Sequence, residues 1–159
     1  MKRQRKAYKT PTRSWNKQRI ERERGIVKIY GLRKKKEIWK FETLLRKFRR
    51  LARQLAAQRD PEEEKILLTK MVKLGLLNEG ATLDDVLGLN LEMFLDRRLQ
   101  TVIFKKGLAN SPNQARQFIV HGHVRIAGRK ITYPSYIVPK GEETDIKVSV
   151  QPVAKKVAA

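Results

Sequence analysis

The chain has 159 residues, enough for one ordinary domain or two small ones, and 40% hydrophobic content supports a modest core. Its 37 Lys and Arg stand against 16 Asp and Glu, a net charge of +21 with a pI near 10.6, and a polyanionic partner is the natural relief of that self-repulsion. The lack of cysteine removes disulfides, thiol nucleophiles and Cys-ligated zinc, and no apolar run approaches the roughly 18 to 20 residues of a membrane span or forms a signal peptide, so the chain is expected to stay in the compartment where it is made.

The charge is uneven. Residues 1–59 hold 22 basic and 4 acidic side chains, residues 60–95 hold 3 and 8, and residues 96–159 hold 12 and 4. This pattern predicts two contact regions flanking a structural spacer.

From the N-terminus, "MKRQRKAYKTPTRSWNKQRIERER" has little periodicity and few apolar residues, which predicts an extended or disordered segment to about residue 24. Tyr8 and Trp15 lie among its cations, where an aromatic either stacks on a base or pins the segment to the protein body. Ile38, Phe41, Leu45, Phe48, Ala52 and Leu55 recur at spacings of three and four, which predicts an amphipathic helix over about 37–58 with a Lys- and Arg-rich outer face. We find no acidic partners at helical spacing for that face, so contact with an anion outweighs simple solvation.

A second helix is expected at "DPEEEKILLTKMVKLG", with Asp60 as cap, Pro61 first and Gly75 as stop. Its glutamates suit the positive end of the helix dipole better than acid-base chemistry. A short helix at "TLDDVLG" follows, capped by Thr82 with Asp85, and then a single longer one from Asn90 through "LEMFLDRRLQTVIFKKG". Leu91, Leu95, Leu99 and Val102 form the buried stripe of the latter, leaving Arg97, Arg98, Lys105 and Lys106 outside it.

"SPNQARQFIVHGHVRIAGRK", residues 111–130, predicts a helix that hands over to a hairpin: Ser111 caps, Pro112 takes the first position, Gln114 sits at capping-box distance and Gly122 stops the helix. His123 to Ile126 then alternate before a turn at Ala127 to Lys130. Further short strands are expected around Ile131–Thr132 and over Ile146 to Val150, with a frayed end from about Gln151. The core does not use Asn113, Arg116, Gln117, His121, His123, Arg125, Arg129 or Lys130. The N-terminus of the helix and these side chains suit the phosphates and shape of folded RNA. "HGH" lacks a third metal ligand, so surface or anion contact outweighs metal binding, and no catalytic motif gives an enzyme residues to run on.

Residues 97–141, "RRLQTVIFKKGLANSPNQARQFIVHGHVRIAGRKITYPSYIVPKG", closely resemble the RNA-binding alpha-L motif of the small-subunit ribosomal protein S-four family, with "QAR", "HGH", a Gly-basic turn and "PSYIVP" in order. "YGLRKKKEIWK" and "RRLQT" resemble the archaeal and eukaryotic branch of that family. The resemblance implies an α+β fold: a mainly helical N-terminal half, an inserted helix-helix-hairpin domain with a small antiparallel sheet, and an extended basic N-terminus. It divides the chain into a basic segment 1–36, a helical domain 37–95, the RNA-binding domain 96–150 and a tail 151–159.

It further implies a non-enzymatic cytoplasmic component of the small subunit, without cofactor or metal. Such a protein binds the five-prime domain of small-subunit rRNA early in assembly, touches neighbouring ribosomal proteins and influences decoding accuracy near the messenger entry side, where mRNA is a further partner. The RNA-facing set it implies here is Arg98, Ser111, Asn113, Gln114, Arg116, Gln117, His121, His123, Arg129, Lys130 and Tyr136. Tyr136 alternatively packs beside the prolines. To these the basic N-terminal region adds Arg3, Arg5, Lys6, Arg13, Trp15, Lys17, Arg19, Arg33, Lys34 and Lys35. A stand-alone RNA chaperone or translation stress factor needs only the motif and has no use for the first 95 residues.

Overall fold

The computed structural model describes residues 6–149. Among the described residues seven α-helices come in the order α1 (Lys17–Tyr30), α2 (Lys35–Gln58), α3 (Pro61–Lys73), α4 (Leu83–Gly88), α5 (Leu91–Asp96), α6 (Leu99–Lys105) and α7 (Pro112–Val120). Strands β1 (Val124–Ile126), β2 (Arg129–Lys130) and β3 (Ile146–Val148) form an antiparallel sheet in the order β2-β1-β3. This is the α+β arrangement expected. No helix among the described residues is long and apolar enough to cross a membrane.

The periodicity of α2 translates directly into burial, since Ile38, Phe41, Leu45, Phe48, Ala52 and Leu55 are its buried residues. They join Leu67 and Met71 of α3, Val86 of α4 and Phe94 and Leu95 of α5 in one core, where the Phe48 and Phe94 rings stack at 5.9 Å. A second core gathers Leu99, Val102 and Ile103 of α6, Ala115, Phe118 and Ile119 of α7, and Val124, Ile126 and Ile146 of the sheet.

Three expectations are corrected. Lys17–Tyr30 is helical where an extended chain was expected to about residue 24. Asn16 caps it by accepting from the Arg19 N–H at 3.1 Å, and Ile26, with the paired carboxylate Glu23, turns inward. The single helix expected from Asn90 breaks into α5 and α6, because Arg98 is extended (φ −69°, ψ 140°). Its backbone neighbours are engaged by a distant segment: Leu99 N–H donates to Tyr136 O at 2.8 Å and Val138 N–H to Arg97 O at 2.9 Å. Those long-range bonds take Arg97 and Arg98 out of the helix. Finally, the second hairpin arm is Arg129–Lys130 and not Ile131–Thr132, because Ala127 (φ 47°) and Gly128 (φ 80°) make a tight two-residue turn. The end expected to fray from Gln151 lies outside the described residues.

Capping follows the sequence at α4 and α7. Thr82 N–H donates to Asp85 at 2.8 Å. Ser111 Oγ accepts from Gln114 N–H at 3.2 Å, while the Gln114 side chain reaches back to Asn110 N–H at 2.7 Å. Asp60 holds the cap position of α3 without a side-chain capping bond.

The two cores are joined at α7. Gly31, in the left-handed region at φ 58°, ends α1 against Pro112, and a Cβ there would lie 2.7 Å from the Pro112 Cβ. Gln100, fully buried, donates from its amide to Gly31 O and Pro112 O, each at 2.9 Å.

Candidate nucleic-acid interface

The outer side of α7 carries Asn113, Gln117 and His121, all exposed, at successive spacings of four that keep them on one helix face. The helix then ends at Gly122 (φ 76°), and the Lys130 side chain lies across that glycine so closely that a Cβ would collide with it. The His121 and His123 rings are 6.2 Å apart, and His123 meets Phe118 edge-on at 6.4 Å. Lys130 therefore joins the two histidines at one corner.

From that corner the sheet continues the strip. Val124 and Ile126 point into the core and Arg125 points out. Arg125 pairs directly with Lys130 on one side and with Lys147 on the other. Directly opposed residues share a face, so three exposed cations form a ladder across the three strands. Among the described residues none of the three has an acidic partner. Like charges so placed oppose sheet formation, and the arrangement makes physical sense against a polyanion. Lys147 escaped the sequence reading because its register with Arg125 is long-range. Arg129, opposite Ile126, is exposed beside the turn but not on this ladder.

Other members of the expected set face elsewhere. Arg98 is corrected: it is 1% exposed, its Nη2 donates to Glu37 at 2.7 Å and its guanidinium lies 5.4 Å above the Phe41 ring, so it is no surface contact. Arg116 is half-turned inward and donates to both Glu37 oxygens, at 3.2 and 3.3 Å. Burial pulls the Glu37 carboxyl toward a higher pKa, but its bonds to Arg116 and Arg98 outweigh this and hold it below the ordinary glutamate value. Tyr136 packs against the second core and donates to Glu142 at 2.7 Å, a bond that with burial raises its pKa. This is the packing alternative. Ser111 and Gln114 are half-buried and spend their side chains on capping.

In the N-terminal region, the two aromatics divide. Tyr8 packs on Trp39 at 5.9 Å and is a pin, whereas Trp15 is 93% exposed. Arg19 is structural: it donates to Arg13 O at 3.0 Å, to Ser14 O at 2.9 Å and to Glu23 at 2.9 Å. Glu23, only 3% exposed, also accepts from Trp39 Nε1–H at 3.0 Å and pairs with Lys35 at 3.5 Å. Lys6, Arg13, Lys17, Arg33 and Lys34 are exposed, and Arg3 and Arg5 lie outside the described residues. On α2 the outer face has partners after all, for Arg46 pairs with Glu42 at 3.7 Å and Arg49 donates to Leu89 O at 2.6 Å.

A helical body carrying a helix-and-hairpin unit with a basic outer strip is the architecture of an S4-type RNA-binding protein. Comparison with known families agrees along nearly the whole chain: residues 2–96 match the ribosomal protein S4/S9 N-terminal domain and residues 97–143 match the S4 domain. The chain is 54% identical to small ribosomal subunit protein uS4 of Methanococcus aeolicus, covering 89% of this chain and 82% of that protein. It is 52% identical to uS4 of Hyperthermus butylicus over 98% and 90%, and 50% identical to uS4 of Methanothermobacter thermautotrophicus over 89% and 85%. The chain belongs to the uS4 family of small ribosomal subunit proteins.

Proposed function

We propose that this protein is a structural, cytoplasmic component of the small ribosomal subunit that binds small-subunit rRNA. In this reading it engages the five-prime domain early in assembly, touches neighbouring ribosomal proteins and contributes to decoding accuracy near the messenger entry side, with mRNA within reach. The observation that carries the RNA contact is the ladder Lys130–Arg125–Lys147, continuous with His121 and His123, in which like charges are opposed without an acid among the described residues. Trp15, Arg13 and Lys17 extend the contact at the N-terminal end. A match of residues 2–96 to a ribosomal domain favours this over a stand-alone stress factor built on the motif alone.

Sedimentation of a cell extract through a sucrose gradient tests it. The chain should travel with the small subunit, and a chain that stays at the top of the gradient overturns the reading. Affinity of the purified protein for a small-subunit rRNA fragment should fall linearly with salt on a log-log plot, with a slope of several counterions.

A further inference from the structure

A cleft of about 520 Å³ opens between α2, the α5–α6 corner, α7 and the turn at Pro134–Ser135, a volume typical of a small-ligand site. Leu44 of α2 forms an apolar wall beside the buried Phe41, whose ring already carries the Arg98 guanidinium. Arg98 and Arg116 stand with Glu37 at the inner end, and the exposed Lys40 and Lys47 are on the rim. Four cations against one carboxylate leave the lining at +3. Glu37 engages only Nη2 of Arg98, and the buried Nε and Nη1 have no hydrogen-bond partner. The Nε of Arg19, Arg49 and Arg97 is left in the same condition outside the cleft, so the cleft is marked by its wall and its charge.

An apolar wall, the partly exposed Arg116 at the inner end and cations at the rim together fit a flat group attached to a phosphate. A carboxylate side chain would satisfy the cations and leave the wall bare. We propose that this cleft receives one unpaired nucleotide of the bound RNA, its base laid against Leu44 beside Phe41 and its phosphate held between Lys40 and Lys47. The inference rests on the RNA-binding reading above and assigns it a pocket distinct from the sheet ladder. A base gains stacking and apolar contact from such a wall whatever its identity, so the site selects for an unpaired nucleotide and not for sequence.

The test uses the full chain, with adenosine and uridine 5′-monophosphates and inorganic phosphate as probes in separate NMR titrations. The nucleotides should shift the Leu44 methyl and Phe41 ring resonances saturably at millimolar concentration, and phosphate should not. Ser135→Trp places an indole at the mouth from an exposed turn residue. It should abolish those shifts and weaken binding of an rRNA fragment roughly tenfold, with the thermal midpoint unchanged. Lys47→Glu, also exposed, gives the same loss by charge if the tryptophan variant does not fold. Equal shifts with phosphate reduce the cleft to an anion site and overturn the proposal, as does full rRNA affinity in both variants. Failure of the wild-type chain to bind the fragment at all strikes the RNA reading itself, whereas wild-type binding with indifferent variants strikes the cleft alone.

Discussion

Glu37 and Arg98 stand 61 positions apart in the chain, yet Arg98 Nη2 donates to Glu37 Oε2 at 2.7 Å with Arg98 almost wholly buried. Glu37 comes from the first turn of α2, in the first core, and Arg98 from the extended corner that begins the second. Arg116 of α7 takes the other oxygen at 3.2 Å. A single carboxylate thereby ties the helical body to the helix-and-hairpin unit and keeps two neighbouring guanidinium groups from facing each other uncompensated.

Glu37→Gln should therefore destabilise the fold strongly. Removing one partner of a buried pair leaves the other charge unpaired and costs roughly 3 to 5 kcal/mol. Urea unfolding measures it, and a loss below about 1 kcal/mol would show that Arg98 finds another partner. Arg116→Ala should also lower stability, in contrast to Arg129→Ala at the exposed turn, which should stay within about 0.5 kcal/mol of wild type.

The same carboxyl predicts a pH dependence. Its folded pKa lies below the ordinary value because the two arginine bonds outweigh burial. A depressed carboxyl contributes stability that is complete above its unfolded pKa, about 4.3, and that drains away as pH falls toward the folded value. The stability gap between wild type and Glu37→Gln should be constant near neutrality and narrow below about pH 5. Chemical unfolding at a series of pH values reads this directly, and a gap that widens on acidification contradicts the assignment.

The sheet ladder yields a substitution that separates folding from binding. Lys147→Glu places a carboxylate directly opposite Arg125, turning a like-charge pair into an opposite-charge one and adding about 0.2 to 1 kcal/mol of stability. The same change puts a negative group on the surface that meets phosphate, so rRNA affinity should fall and the salt slope should drop by about one or more. Melting temperature and filter binding on one preparation decide it. A protein that is both less stable and equally tight would show that Lys147 has a structural role.

How much of this was legible in the sequence depends on the range of the interactions. The α2 stripe from Ile38 to Leu55, the Ser111 cap and the Gly122 stop are set by neighbours within a few residues, and the structure shows each of them. Arg98 was misread because its exposure was inferred from helix periodicity, and the backbone bonds of Leu99 and Arg97 to Tyr136 and Val138 remove the helix at that point. The helix α1 was missed for a related reason. Its composition is highly charged, and beside the local Arg19–Glu23 pair what secures it is Lys35 and Trp39 of α2 converging on Glu23. Lys147 joined the site only through sheet register, which no local pattern encodes.

Trp15 offers the clearest optical test of the N-terminal contact. Its indole is 93% exposed, and the turn that carries it is held from behind, since the Arg19 guanidinium clamps the Arg13 and Ser14 carbonyls and is itself fixed by Glu23. A large apolar ring presented this way among exposed Arg13 and Lys17 is suited to stack on an unpaired base. The chain's other tryptophan, Trp39, is half-buried and hydrogen-bonded to Glu23, so it provides an internal reference. Acrylamide should quench Trp15 readily in the free protein and poorly once an rRNA fragment is bound, with the Trp39 contribution little changed. Trp15→Ala should weaken binding by about 1 to 3 kcal/mol and leave unfolding within about 0.5 kcal/mol of wild type. If Trp15 is as accessible to acrylamide in the complex as in the free chain, it does not stack on RNA, and its exposure then points to a neighbouring protein as the surface that covers it.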